Sequence, residues 1–361
     1  MPAPSATDVI SPAFAHTRLT LLPFRFKQWA RWALLGIATG EMSSNGGCNF
    51  NFPSGGGGSN GGGAGPNPFG KLPHFDPQTL AHVAMWIALL VVSAFALMLV
   101  FVYVASVCRF ILFESVLERR PELRRGWNRW QPQGRRLFLF HLFMMLVSLA
   151  GLAVLAGVPL AAVAGMGALK APRDHILLLA LVGAAAVVLL MVFFFALAIA
   201  NVFTKDFVVP QMALEDLSVR EGWKRLWAQV RSETRGYAGY IGMKILLALG
   251  AAIIFGILSV ILIFVLAIPA VAVVLIIVAA GAAGATWNVF TIALAATVGL
   301  VLLCVMVFLM AMLASPVTVF FPAYSMHFFA GRYRPLAARL TPPPPPIAPE
   351  GPEIPPAPQP A

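Results

Sequence analysis

Side chains able to do chemistry must be titratable or nucleophilic and must converge, and this chain holds few of them where they would matter. His141 and Lys244 stand within a turn or two of the ends of long apolar stretches, while Asn201 and Asn288 are the only carboxamides inside such stretches. An ionisable group within a membrane span is a functional candidate by default. Snorkelling toward headgroups accounts for His141 and Lys244, and helix-to-helix hydrogen bonding accounts for the two asparagines. His82 and His175 fall at the opposite stretch ends, His74 in a Gly-rich segment and His16 in the N-terminal arm. No His-Glu-x-x-His, no carboxylate pair within a stretch and no Ser-His-Asp order is present. Cys108 and Cys304 read as small hydrophobes, and Cys48 lacks the apolar residues of a lipobox before it. The expectation is a non-enzymatic protein with no metal and no cofactor.

The elements that would position these residues are helices in lipid. Of 361 residues 59% are hydrophobic and 11% charged, and the mean hydropathy is +0.83, whereas a soluble surface needs roughly 25% charged residues. Residues Ala81 to Cys108, Leu137 to Leu169 and Ile176 to Thr204 carry no Asp, Glu, Lys or Arg. Each exceeds the ~20 residues that cross a bilayer. Ile245 to Gly331 is a further uncharged run of 87 residues, with natural breaks at Pro269 and at Gly281 to Trp287. Spans four and five are therefore placed at about residues 239–267 and 288–314. The apolar segment Pro269 to Ala283 reads as a re-entrant half-helix or as the outer end of a bent helix.

Basic residues near span ends stay cytoplasmic. Arg109 to Arg136 holds eight Arg, Lys205 to Arg235 six basic residues and the tail after Gly331 three, against Lys71, Lys170 and Arg173 in the alternate loops. The first group is expected inside, together with the C-terminus. If Arg18, Arg25, Lys27 and Arg31 are inside as well, something between Trp29 and Met42 must cross. Trp32 to Gly40 suits a short first span, an interfacial helix or a signal-peptide core. Residues 41–80, with eleven Gly and five Pro, read as a flexible extracytoplasmic loop; without a following Gly-Lys-Ser or Gly-Lys-Thr they do not read as a phosphate cradle. The tail, 336–361, is Pro-rich, with eleven Pro between Thr341 and Ala361, and reads as a disordered polyproline II extension that could dock a protein partner. No nucleic-acid partner is expected.

An internal repeat organises residues 81–335. Phe110-Ile-Leu-Phe-Glu-Ser-Val-Leu-Glu118 resembles Phe207-Val-Val-Pro-Gln-Met-Ala-Leu-Glu215, and Gly126-Trp-Asn-Arg-Trp130 resembles Gly222-Trp-Lys-Arg-Leu-Trp227. Phe321-Pro-Ala-Tyr-Ser-Met-His327 is a partial third echo of the first motif. Both copies run in the same order, so the duplication is parallel, and duplicated membrane folds often build a site where the repeats meet. In the second Gly-Trp helix Ser218 and Glu221 form a capping box; Val219, Trp223, Leu226 and Val230 share a face, with Arg220, Lys224 and Arg231 opposite. In the first, Pro121 opens the helix, Leu123, Trp127 and Trp130 share a face, and Arg120, Arg124 and Arg129 lie around it. Such helices lie on the cytoplasmic leaflet with Trp at headgroup depth and basic side chains near anionic lipid. The lipid-interface candidates are thus Arg120, Arg124, Trp127, Arg129, Trp130, Arg220, Trp223, Lys224, Trp227 and Arg231. The plain alternative gives these cations no task beyond topology.

The stretch Gly222-Trp-Lys-Arg-Leu-Trp, the segment Tyr237-Ala-Gly-Tyr-Ile-Gly-Met-Lys244 and Phe321-Pro-Ala-Tyr-Ser resemble an uncharacterised family of bacterial multipass membrane proteins. That family is similar in turn to the membrane domain attached to some glycerophosphoryl diester phosphodiesterases. The resemblance covers roughly residues 80–335 and implies a six-span helical domain in a bacterial inner membrane. It implies no activity, because the chemistry of those relatives belongs to a separate soluble barrel.

The expected fold is an all-α polytopic transmembrane helical bundle. It has five clear spans plus a short N-terminal sixth within residues 1–40, and a duplicated span and amphipathic-helix unit. The expected role is a membrane scaffold or lipid-associated accessory unit; the alternative is a transporter or channel for a small or lipidic solute with its pathway at the repeat interface.

Overall fold

The computed structural model describes residues 4–41, 77–167, 175–282 and 289–340. Expectations for Cys48, the Gly-rich run, Gly284 to Asn288 and the tail after Leu340 lie outside these residues. Among the described residues there is no strand, and the fold is an all-α helical bundle. Its elements are α1 (Ile10–Leu21), α2 (Phe26–Thr39), α3 (Pro77–Glu118), α4 (Leu123–Leu152), α5 (Val158–Gly165), α6 (Ile176–Phe203), α7 (Val209–Glu215), α8 (Val219–Ser232), α9 (Thr234–Ala282), α10 (Val289–Ala330) and α11 (Arg334–Leu340).

Five helical stretches are long and apolar enough to cross a membrane: His82–Glu118, Leu123–Gly165, Ile176–Glu215, Thr234–Pro269 and Ala296–Ala330. Helices suit lipid because every backbone N–H and C=O is satisfied within the segment. Each stretch is far longer than a bilayer needs, and the surplus divides the molecule in two. Toward one end the side chains point outward, as with Trp86 (63% exposed) and Leu90 (67%) on α3, a face that lipid tails would cover. Toward the other end the helices converge on a packed aromatic base in which Phe110, Phe207, Tyr240, Tyr324 and Phe328 are fully buried. Tyr240 stacks on Tyr324 with centroids 5.4 Å apart and tilts against Phe328 at 4.6 Å.

Two π-helical turns interrupt the spans, Ala153–Gly157 before α5 and Thr204–Val208 before α7. Each is followed two residues on by a proline, Pro159 or Pro210. Proline has no N–H to give and its ring clashes with the carbonyl four residues earlier. A turn widened by one residue relieves that clash without ending the helix. Pro269, by contrast, lies inside an unbroken α9. The segment after it continues that helix to Ala282 and is not a re-entrant half-helix.

The expected sixth crossing is not formed by α2. Its 14 residues reach about 21 Å, short of the ~30 Å of hydrocarbon. It folds back on α1 as a helical hairpin: Gln28 donates to the Thr20 carbonyl (2.6 Å) and Trp29 Nε1 to the Leu21 carbonyl (3.0 Å), satisfying two orphan carbonyls of α1. One face of α2, Trp32, Ala33, Leu35, Gly36 and Thr39, is buried against α3 and α10. Leu34 and Ile37, and Phe24 and Phe26 at the hairpin bend, are exposed. A cleaved signal is equally at odds with this packing, since Trp32 and Leu35 are fully buried core residues.

Gly40 (φ +68°) closes α2, and Glu41 then lies against Arg109, at the packed end of the bundle. Pro77 begins α3 more than thirty residues from Arg109, roughly 45–50 Å away at the rise of an α-helix. Glu41 and Pro77, the described residues that flank this segment, therefore stand toward opposite ends of the bundle.

Candidate functional site

Two places gather polar side chains. The first is the α8 surface. The Ser218 hydroxyl accepts from the Glu221 N–H (3.3 Å) and the Glu221 carboxylate accepts from the Ser218 N–H (3.0 Å), so the predicted capping box is formed. The hydrogen bonds to Ser218 hold the Glu221 carboxyl below its ordinary range. A Cβ added to Gly222 would stand 2.8 Å from Val208 Cγ1. Only glycine lets α8 lie this close to the π turn. Between α8 and α4 runs a groove of about 850 Å³ lined by Leu139, Phe140, Phe143, Val219, Trp223 and Trp227, with Arg136, Arg220, Lys224 and Ser218 also at its walls. Arg136 is spent on the Asp216 carboxylate (3.0 Å) and carbonyl (3.1 Å). Arg220 and Lys224 are exposed and make no ion pair among the described residues.

The ten lipid-interface candidates separate accordingly. Trp223 is half-buried and donates to Thr204 Oγ1 (3.2 Å); Trp227 is 50% exposed with Arg231 over its ring at 5.3 Å. In the first Gly-Trp helix, Trp130 is buried, stacks on Phe110 and donates to Glu114, while Arg129 pairs with the same carboxylate at 2.6 Å. These two hold α4 to α3. Trp127 is half-buried against Tyr103. Arg120 and Arg124 are exposed, Arg120 beside Glu114, Glu118 and Glu122 in a small polar pocket.

The second place was not foreseen from sequence. Lys244 does not snorkel; it is buried and donates to Asp206 Oδ2 (2.5 Å), which also accepts from the Tyr240 hydroxyl (2.8 Å). Arg109 donates to Glu41 Oε1 (2.5 Å) and to the Thr39 carbonyl (3.0 Å). Lys205 stands 3.7 Å from Glu41. Burial pushes the Glu41 carboxyl up, and the cations Lys205, Arg109 and Lys244 outweigh it, holding the group at about 2. These five groups line a cavity of about 30 Å³ with Ser325, Phe321 and Pro322. The charged residues at the ends of the apolar runs thus point inward.

His141 is half-buried beside Ser106 Oγ (3.2 Å). Asn201 is exposed on a cavity of about 370 Å³ between α4 and α6. Among the described residues it makes no side-chain hydrogen bond, so it does not tie one helix to another. Asn288 lies outside the described residues. The signal that could have found the buried cluster is the repeat register: Arg109 and Asp206 hold the matched positions just before Phe110 and Phe207, and apolar residues continue beyond both.

Among known families, one described as a family of unknown function (DUF7544) matches residues 4–339. No curated protein and no solved structure matches. The resemblance to the membrane domain of glycerophosphoryl diester phosphodiesterases finds no support in these comparisons.

Proposed function

The chain belongs to that family of unknown function, and from this premise we propose a non-enzymatic integral membrane protein that holds an anionic phospholipid in the groove between α4 and α8. It acts as a scaffold or lipid-associated accessory unit of a bacterial inner membrane. The observation that carries this reading is the groove itself: apolar walls of about 850 Å³ beside two unpaired cations and an exposed tryptophan. Acyl chain would take the walls, and a phosphate would take Arg220 and Lys224, each basic residue contributing about 1 kcal/mol near an anionic surface.

The excess of Arg and Lys at the packed end supports placing that end and the C-terminus in the cytoplasm. Parallel duplication draws support from matched contacts. Gly126 packs on Ile111 as Gly222 packs on Val208, and Arg119 and Asp216 both take left-handed conformations just past α3 and α7. The Pro-rich tail is then a cytoplasmic arm open to a protein partner.

Purified protein should bind phosphatidylglycerol more tightly than phosphatidylcholine, and Arg220→Gln with Lys224→Gln should weaken the former about 10- to 50-fold, the equivalent of two surface charges. Native mass spectrometry or lipid-dependent melting reads this directly. Equal retention of both lipids, or an unaffected double variant, refutes the site. Vesicles that gain a solute or lipid flux on reconstitution would favour the transporter alternative.

A further inference from the structure

The buried cluster does not balance. Arg109 is committed to Glu41 and the Thr39 carbonyl, and Lys244 to Asp206, which Tyr240 also supports. Among the described residues three cations thus face two carboxylates, and Lys205 has only a longer ion pair to Glu41, which Arg109 already holds. Its side chain is only 14% exposed, its nearest carboxylate oxygen is 3.7 Å away, and among the described residues its three N–H donors make no hydrogen bond. An ammonium in such surroundings carries a large desolvation penalty unless something compensates it.

The local backbone is what puts it there. Lys205 and Asp206 are consecutive residues of the π turn Thr204–Val208, and both line the same cavity. Such turns are frequent at functional sites. The cavity, about 30 Å³, has room for one or two water-sized particles, too little for a phosphate headgroup. The Ser325 hydroxyl at its wall already donates to the Pro322 carbonyl (2.9 Å), so the Lys205 ammonium is the donor left for an anion.

The geometry points to a second binding site, distinct from the lipid groove: a small monovalent anion of halide type seated against Lys205 and neutralising the fifth charge of the cluster. The anion stabilises the folded base by mass action, because the unfolded chain has no such cavity. It also locks α2, α3, α7, α9 and α10 together, since residues of all five or their immediate flanks line the site.

Melting of the full-length protein in detergent, with sodium gluconate exchanged for sodium chloride or bromide at about 0.15 M total ionic strength, tests this. The midpoint should rise saturably with halide, by about 2–4 °C or more. The rise should persist in the Arg220→Gln, Lys224→Gln variant and vanish in Lys205→Met, which should melt higher than the parent in gluconate. An identical midpoint in gluconate and halide means that the cavity holds water only and overturns the proposal. So does a halide response that survives in Lys205→Met or disappears in the groove variant. Should Lys205→Met fail to fold, anomalous diffraction from bromide-soaked crystals of the parent decides: a peak within contact of Lys205 supports the site, and its absence at an otherwise ordered cavity refutes it.

Discussion

Glu41 shows how one side chain can hold together parts of the chain that are far apart in sequence. It follows the Gly40 turn, bonds Arg109 across 68 residues of sequence and lies within ion-pair distance of Lys205. A carboxylate withdrawn from water survives only when its partners remain. With its folded pKa at about 2 against an ordinary value of 4.5, the native state binds fewer protons than the unfolded state between those values. The stability it supplies is complete above pH about 4.5 and is lost as pH falls toward about 2. Melting curves should therefore show an acid limb in that window. Glu41→Gln should lower stability at neutral pH by about 3–5 kcal/mol, the usual cost of orphaning a buried ion, and flatten the limb. Identical limbs in parent and variant would mean that Glu41 carries no charge in the folded protein.

At the scale of elements, the contrast between the two Gly-Trp helices makes the next prediction. Gly126 and Gly222 do the same packing task, since a Cβ added to either would stand 3.0 Å from Ile111 or 2.8 Å from Val208, but Gly222 lies among the α8 residues that line the lipid groove, whereas Gly126 precedes the part of α4 that does. Gly126→Val and Gly222→Val should each cost about 1–3 kcal/mol through overpacking. Of the two, Gly222→Val alone should also weaken phosphatidylglycerol binding, because it pushes α8 away from α4 while leaving Arg220 and Lys224 in place. Matched losses of lipid binding in both variants would remove α8 as the binding element. The helices themselves were legible in the uncharged runs, and the α8 cap in Ser218 and Glu221. Their ends were not. The apolar runs stop at Cys108 and Thr204, but α3 continues to Glu118 and the α6 stretch, through its π turn and α7, to Glu215. A charge at the end of a run reads as a headgroup contact when its partner is unknown. Here the partners, Glu41 for Arg109 and Lys244 for Asp206, come from segments 68 and 38 residues away. Sequence periodicity within one helix carries no trace of them.

The whole molecule raises a question of sidedness that neither residue nor element answers. Five stretches between Pro77 and Ala330 are long and apolar enough to cross, and five crossings would put those two residues on opposite faces of the bilayer. The N-terminal arm, however, packs beside the end of α10: the Pro4 carbonyl accepts from Arg332 (3.2 Å), and the Ala6 carbonyl accepts from the Tyr324 hydroxyl (3.0 Å). His16 reinforces this docking, its Nε2 2.8 Å from the Val116 carbonyl and its ring edge-on to His327. Residues 4–41 therefore pack at the end of the bundle that holds the end of α10, and five crossings would leave Pro77 on the opposite face. In a background with Cys48, Cys108 and Cys304 replaced, single cysteines at Ser5, Arg334 and Gln78 report the arrangement through an impermeant maleimide on intact cells and on inverted vesicles. Ser5 and Arg334 should react together in inverted vesicles, as the positive-inside distribution requires, and Gln78 should react in intact cells. Labelling of Gln78 together with Ser5 would leave α3 without a crossing and reduce the bundle to four spans. Labelling of Ser5 opposite to Arg334 would mean that the α1–α2 hairpin passes through the bilayer after all, against the buried contacts that fold it onto α10.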